Sequence, residues 1–164
     1  MSVTLDILRS YSTPRAVMRR RLAGEVREDR ALIYLIVACA LAFVAQWPSL
    51  ARAAHLAPGI PLNARLGGAL MGWMIIAPLG FYALAALSHL VARTLGGHGS
   101  WYGARVALFW TLLVVSPLWL LLGLVAGFIG PGATLKATGL ALLVAFVAIW
   151  GNGLYVAERG TGNV

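Results

Sequence analysis

The chain has 164 residues, of which 60% are hydrophobic and 11% charged, less than half the roughly 25% charged content of a soluble domain. Mean hydropathy is +0.84, and thirteen Lys and Arg against five Asp and Glu give a net charge of +8. These figures leave no room for a soluble domain beside a bundle of apolar helices, and a single cysteine, Cys39, excludes an internal disulfide or a multi-cysteine metal site.

In residues 1–30, Leu5, Leu8 and Tyr11 recur at helical spacing, with Asp6 and Arg9 on the other side. Ser12-Thr13-Pro14 reads as a break and a new start, with Thr13 as N-cap and Pro14 in the first helical position. Val17, Met18 and Leu22 then face one way, and Arg15, Arg19, Arg20 and Arg21 the other. That pattern predicts a basic amphipathic helix lying in a membrane interface. Seven of the thirteen basic residues lie in these first thirty positions. They abut an apolar stretch instead of spreading over a folded face, which excludes a nucleic-acid footprint. The four arginines of the amphipathic helix are the candidate contacts for anionic lipid or for an acidic surface on a membrane-protein partner.

Four apolar stretches follow: Ala31–Trp47, Leu66–Ala92, Ala104–Ile129 and Leu135–Ala157. A bilayer core of about 30 Å takes about 20 helical residues, and only helices or closed barrels satisfy the backbone there. The stretches have no period-two alternation, so they read as helices. The first ends at Pro48, with an irregular connection over Ser49–Arg65 and at most a short surface helix around Leu50–Leu56. Its Ile36-Val37-Ala38-Cys39 looks like a lipoprotein cleavage box. The n-region would be thirty residues long and contain four acids, so a retained helix is the expectation. Pro78 bends the second stretch and Ser116-Pro117 the third. The third is too short for two spans, and Gly130-Pro131-Gly132 ends it.

The expected architecture is therefore an all-α, polytopic transmembrane helix bundle. It has four spans, the second and third bent at proline, and is preceded by an amphipathic interfacial helix. Residues 1–30 form a cytoplasmic basic segment, 31–157 the bundle, and 158–164 a short cytoplasmic tail. Ten basic residues fall on the side of the termini, and three, Arg52, Arg65 and Lys136, on the other. Both termini are thus expected in the cytoplasm, with the bundle in a bacterial inner membrane.

Candidate chemistry is sparse. The only acids are Asp6, Glu25, Glu28, Asp29 and Glu158, so no carboxylate pair meets inside the bundle, and P-loop, HExxH and GxSxG patterns are missing. His89 is the one ionisable residue well inside a stretch, and Asn152 is a polar spot near the end of the last. Bonding to water or a carbonyl accounts for His89 more readily than a functional role inside the membrane, and helix–helix hydrogen bonding for Asn152 more readily than a substrate site. His98 and Ser100 share a loop with no orienting acid. Gly68-x-x-x-Gly72 and Gly123-x-x-x-Gly127 suit close helix approach. Trp47, Trp101, Tyr102 and Tyr155 suit interface anchoring, while Trp73, Trp110, Trp119 and Trp150 lie deeper.

Three segments carry a resemblance. They are the Pro14-Arg15 helix, the Leu95-Gly96-Gly97-His98-Gly99-Ser100-Trp101 loop leading to the Ser116-Pro117-Leu118 break, and the exit Trp150-Gly151-Asn152-Gly153-Leu154-Tyr155-Val156-Ala157-Glu158. In these the chain resembles short bacterial members of the Yip domain family (Ypt/Rab-GTPase-interacting proteins) over residues 12–158. The resemblance implies a cytoplasmic N-terminus and a helical membrane bundle. The family has five membrane helices, and this chain stops where the last would begin, which implies four. Eukaryotic relatives bind prenylated small GTPases, but no residue here matches a GTPase contact. The expected function is non-enzymatic, without cofactor or metal: binding or organising other membrane components, by self-association or with a membrane-protein partner. The alternatives are an accessory or assembly subunit of a larger complex and a small oligomeric transporter or channel hinged at Pro78 and Pro117.

Overall fold

A helix that is apolar on every side is stable only when other helices surround it, and residues 101–114 occupy that position. The structure, a computed structural model, describes residues 3–159, and every regular element among them is helical. Two short helices, α1 (Val3–Ser12) and α2 (Pro14–Leu22), precede α3 (Glu28–Leu56). Next come α4 (Leu62–Met71) and α5 (Ala77–Thr94), joined without a gap by a π-helical stretch over Gly72–Ile76. Then α6 (Trp101–Val114) leads into α7 (Ser116–Leu124), which winds as a π-helix over Val125–Ile129, and α8 (Ala133–Arg159) completes the chain described. Helices α1, α2, α3, α5 and α8 all pack on α6, and every residue from Val106 to Ser116 is buried.

The outer helices have the opposite character. Glu28–Leu56, Leu62–Thr94 and Ala133–Arg159 are each long and apolar enough to cross a membrane. The pair Trp101–Val114 and Ser116–Ile129 passes the same test together, with a 40° bend between its halves. The count is three such helices, or four if the bent pair is one span. In the most apolar window of Leu62–Thr94 only 11% of residues are buried; Met71, Ile76, Leu79, Leu87 and Leu90 stand outward. So large an apolar exterior fits hydrocarbon as the surrounding solvent.

The break at Val115 follows from Pro117, which has no N–H for the Leu113 carbonyl. Ser116 Oγ donates to that carbonyl instead, at 2.8 Å. The Leu118 N–H, which an unbroken helix would send to Val114, goes to Val115, and the Tyr11 hydroxyl of α1 takes the freed Val114 carbonyl at 2.7 Å. Both orphaned acceptors are satisfied. Ahead of Pro78, whose ring would press on the carbonyl four residues back, the chain widens into the π-helical stretch, and Ala77 N–H reaches Gly72 O.

Three expectations are corrected. Pro48 does not end its helix: α3 runs through it to Leu56, with no irregular stretch until Ala57. Gly127, in the π-helical continuation of α7, lies directly against Pro48, where an added Cβ would come to 3.0 Å from Pro48 Cα. Thr13 stands at the break as expected but does not cap α2, since its hydroxyl donates back to Arg9 O at 3.2 Å. The apolar face of α2 is turned to protein instead of lipid: Val17 and Met18 are each 1% exposed against the α6–α8 core. The expected tail from Glu158 begins as the last turn of α8; residues 160–164 lie outside the described residues.

Candidate functional site

Two clusters of buried polar side chains lie around α2 and the α5–α6 loop. Arg20 and Arg21 of α2 both reach Asp6 of α1, at 3.6 and 2.9 Å. Arg21 also donates to the Tyr34 hydroxyl of α3. Its guanidinium lies 3.4 Å above the Trp110 ring of α6, a cation–π arrangement strengthened by exclusion of water. Trp110 Nε1 in turn donates to Ser10 Oγ of α1 at 3.1 Å, and Ser10 Oγ donates to Asp6 O at 2.7 Å. Burial pushes the Arg21 guanidinium below its ordinary value, and Tyr34 and Asp6 act against that shift. One arginine therefore joins α1, α2, α3 and α6.

Helix α1 is inside out by the standards of a water-soluble protein. Asp6 and Ser10 are buried, while Val3, Leu5 and Leu8 face outward, Leu8 at 69% exposure. The Asp6 contacts explain the inward polar face, and an apolar surrounding medium explains the outward one.

A second polar cluster clasps the end of α8. His89 Nδ1 of α5 lies 2.6 Å from Glu158 Oε1, and both side chains are 4% exposed. The other carboxylate oxygen, Oε2, accepts the Gly99 N–H at 3.1 Å, and the Glu158 carbonyl accepts the His98 N–H at 3.0 Å. The Trp101 ring covers His89 at 4.5 Å between centroids. Gly99 is required by this approach, since an added Cβ would collide with the Ala157 carbonyl and come to 2.8 Å from Glu158 Cα. Ser100 caps α6 by accepting from Gly103 N–H at 3.0 Å.

The remaining expected residues sort themselves by partner. Arg15 Nε donates to Asn152 Oδ1 at 2.6 Å, which joins two candidates from opposite ends of the chain. The Arg19 side chain has no hydrogen bond or ion pair among the described residues. Gly123 and Gly127 form the close crossing of α7 on α3, where an added Cβ on Gly123 would strike the Ala45 carbonyl; Gly68 and Gly72 face open space. Pro78 follows the first π-helical stretch, and Pro117 the break at Val115. Among the described residues no group of three or more His, Cys, Asp or Glu side chains could hold a metal ion.

The sequence reading missed Asp6, Tyr34, Trp110 and Glu158 as partners. It found no acid to serve the His98 loop, yet Glu158 stands against it and turns its carboxylate to His89. A signal existed: Glu158 is the one acid beyond Asp29, and a lone acid near the end of an apolar helix needs a partner. No family model, curated protein or solved structure matches this chain.

Proposed function

We propose that this chain is a non-enzymatic integral membrane protein that binds or organises other membrane components through the arginine-bearing end of its bundle. The observation that carries the reading is the fastening of α2 by Arg21, Asp6 and Trp110, which holds a row of arginines rigidly on the outside of an apolar bundle. A length argument supports their position. Arg52, Arg65 and Lys136 mark one boundary, and about 20 helical residues span a hydrocarbon core. Counted from Arg52 along α3 and from Lys136 along α8, that length ends near Leu32 and Val156. Arg15 of α2 meets Asn152 and Tyr155 close to this level, so its arginines would lie among lipid head groups.

The proposal includes four spans, with bends near Pro78 and Pro117, and both chain ends in the cytoplasm of a bacterium, as the excess of arginine at that end favours. It also keeps the likeness to the Yip domain family, since the two segments that carry it most fully, Leu95–Trp101 and Trp150–Glu158, meet in the Glu158 clasp. An accessory subunit of a larger complex is a variant of the same reading.

A transporter is the second reading, favoured by the broken helix at Val115. Against it, both carbonyls freed there are already occupied by Ser116 and Tyr11. Purification in mild detergent with mass spectrometry of co-purifying lipid and protein, beside flux from reconstituted liposomes, separates the two. The proposal predicts a retained membrane component and flux no higher than in protein-free vesicles. Flux that disappears on His89→Ala would replace it with the transporter.

A further inference from the structure

The four arginines of α2 do not share one role. Arg20 and Arg21 are spent on Asp6. Arg15 and Arg19, one turn apart, line a separate cleft of about 390 Å³ with Ser12, Thr13 and Asn152, and no carboxylate borders it. Beside that cleft the Arg15 guanidinium lies 5.0 Å from the centre of the Tyr155 ring, and Arg159 of α8 lies 5.1 Å from the same ring. Two like charges on one tyrosine, with a third one turn away, repel each other unless an anion lies among them. No acid supplies it: Arg15, Arg19 and Arg159 have no ion pair among the described residues. The adjacent Glu158 is turned inward to His89.

The surface leading away from this cluster is apolar. Leu140, Val144, Gly151, Tyr155 and Arg159 follow one another at spacings of four, seven, four and four residues, so they lie along one face of α8. Leu140, Val144 and Tyr155 are exposed. Gly151 is exposed with open space where a side chain would stand, a notch between Val144 and Tyr155. Three guanidiniums at one end and an apolar track at the other have the shape and polarity of an anionic amphiphile.

We propose that Arg15, Arg19 and Arg159 hold the phosphate of an anionic phospholipid over Tyr155, and that one acyl chain of this lipid runs along α8 through the Gly151 notch. Arginine suits the task because its planar fork gives two N–H donors to a phosphate at once. The site rests on the reading of this chain as a binder of membrane components and assigns that binding to one face of α2. Free phosphate shares the head-group chemistry but would leave the apolar track unused.

Native mass spectrometry of the full chain in mild detergent tests the site, with dioleoylphosphatidylglycerol, dioleoylphosphatidylcholine, inorganic phosphate or a hexaglutamate peptide added separately. The wild type should retain phosphatidylglycerol at least about tenfold more strongly than phosphatidylcholine, a ratio typical of a charge-assisted contact. Arg15→Gln with Arg159→Gln should abolish that preference, and Gly151→Phe, which keeps every charge, should weaken phosphatidylglycerol retention. Lys136→Gln, at the opposite end of α8, should change nothing, and circular dichroism should show native helix content throughout. Preference persisting in the double variant would overturn the site while leaving the wider reading intact. No preference in the wild type would overturn the site, and the wider reading falls with it only where no membrane protein co-purifies either. Retention of inorganic phosphate or hexaglutamate in place of lipid would overturn the choice of a phospholipid.

Discussion

The two ends of this bundle are fastened by different chemistry. At the end carrying α2, buried polar pairs do the joining: His89 with Glu158, and Arg21 with Asp6. At the other, backbone meets backbone, with Gly123 and Gly127 of α7 against Ala45 and Pro48 of α3 and Arg52 donating to Gly127 O at 3.2 Å. In hydrocarbon the hydrophobic effect gives helices no reason to prefer one another over lipid, so close packing and satisfied polar groups must supply it. Charges specify their partners, while glycine contacts specify only distance. The end with these pairs can therefore dock two short extra helices in one orientation, and the far end holds the close crossing of α7 on α3.

The largest effect should come from breaking the clasp. His89→Ala leaves the Glu158 carboxylate buried and half-unpaired, which costs about 3–5 kcal/mol, read by denaturant titration in detergent micelles. Glu158→Gln, which keeps a hydrogen bond to the ring, should cost about 1–2 kcal/mol. Next, Arg21→Met should lose about 2–3 kcal/mol from the ion pair and the Trp110 contact, and limited proteolysis should cut α1–α2 faster without unfolding α8.

The glycine end should respond by position. Gly123→Ala forces α7 off the Ala45 carbonyl at about 1–3 kcal/mol, whereas Gly68→Ala and Gly72→Ala, facing open space, should be neutral or gain up to about 1 kcal/mol from helix propensity. Equal effects at the two pairs would dissolve the contrast between them. The smallest loss should be at Tyr11→Phe, about 1 kcal/mol for one hydrogen bond to the Val114 carbonyl.

The helices themselves were legible because lipid-length apolar runs leave few alternatives. Local breakers were legible in position but not in outcome. Pro117 broke its helix with a 40° bend, while α3 runs on through Pro48. The polar site was half legible. Arg15, Arg19, Arg20 and Arg21 stood out, but their division into a pair bound to Asp6 and a pair without a carboxylate depends on Asp6, which lies across a helix break. Trp110 reads from sequence as one more apolar residue of a helix hydrophobic all round. Only the assembled fold sets a guanidinium over its ring.

Topology is tested most directly by labelling with a membrane-impermeant maleimide in vesicles of known orientation, after Cys39→Ala. Single cysteines would replace Glu25, Arg93 and Arg159 at one end, and Gly59 and Gly132 at the other. The account predicts that the first three react from the cytoplasmic face alone and the last two from the opposite face alone. Reaction of Glu25→Cys and Arg159→Cys from opposite faces would contradict it.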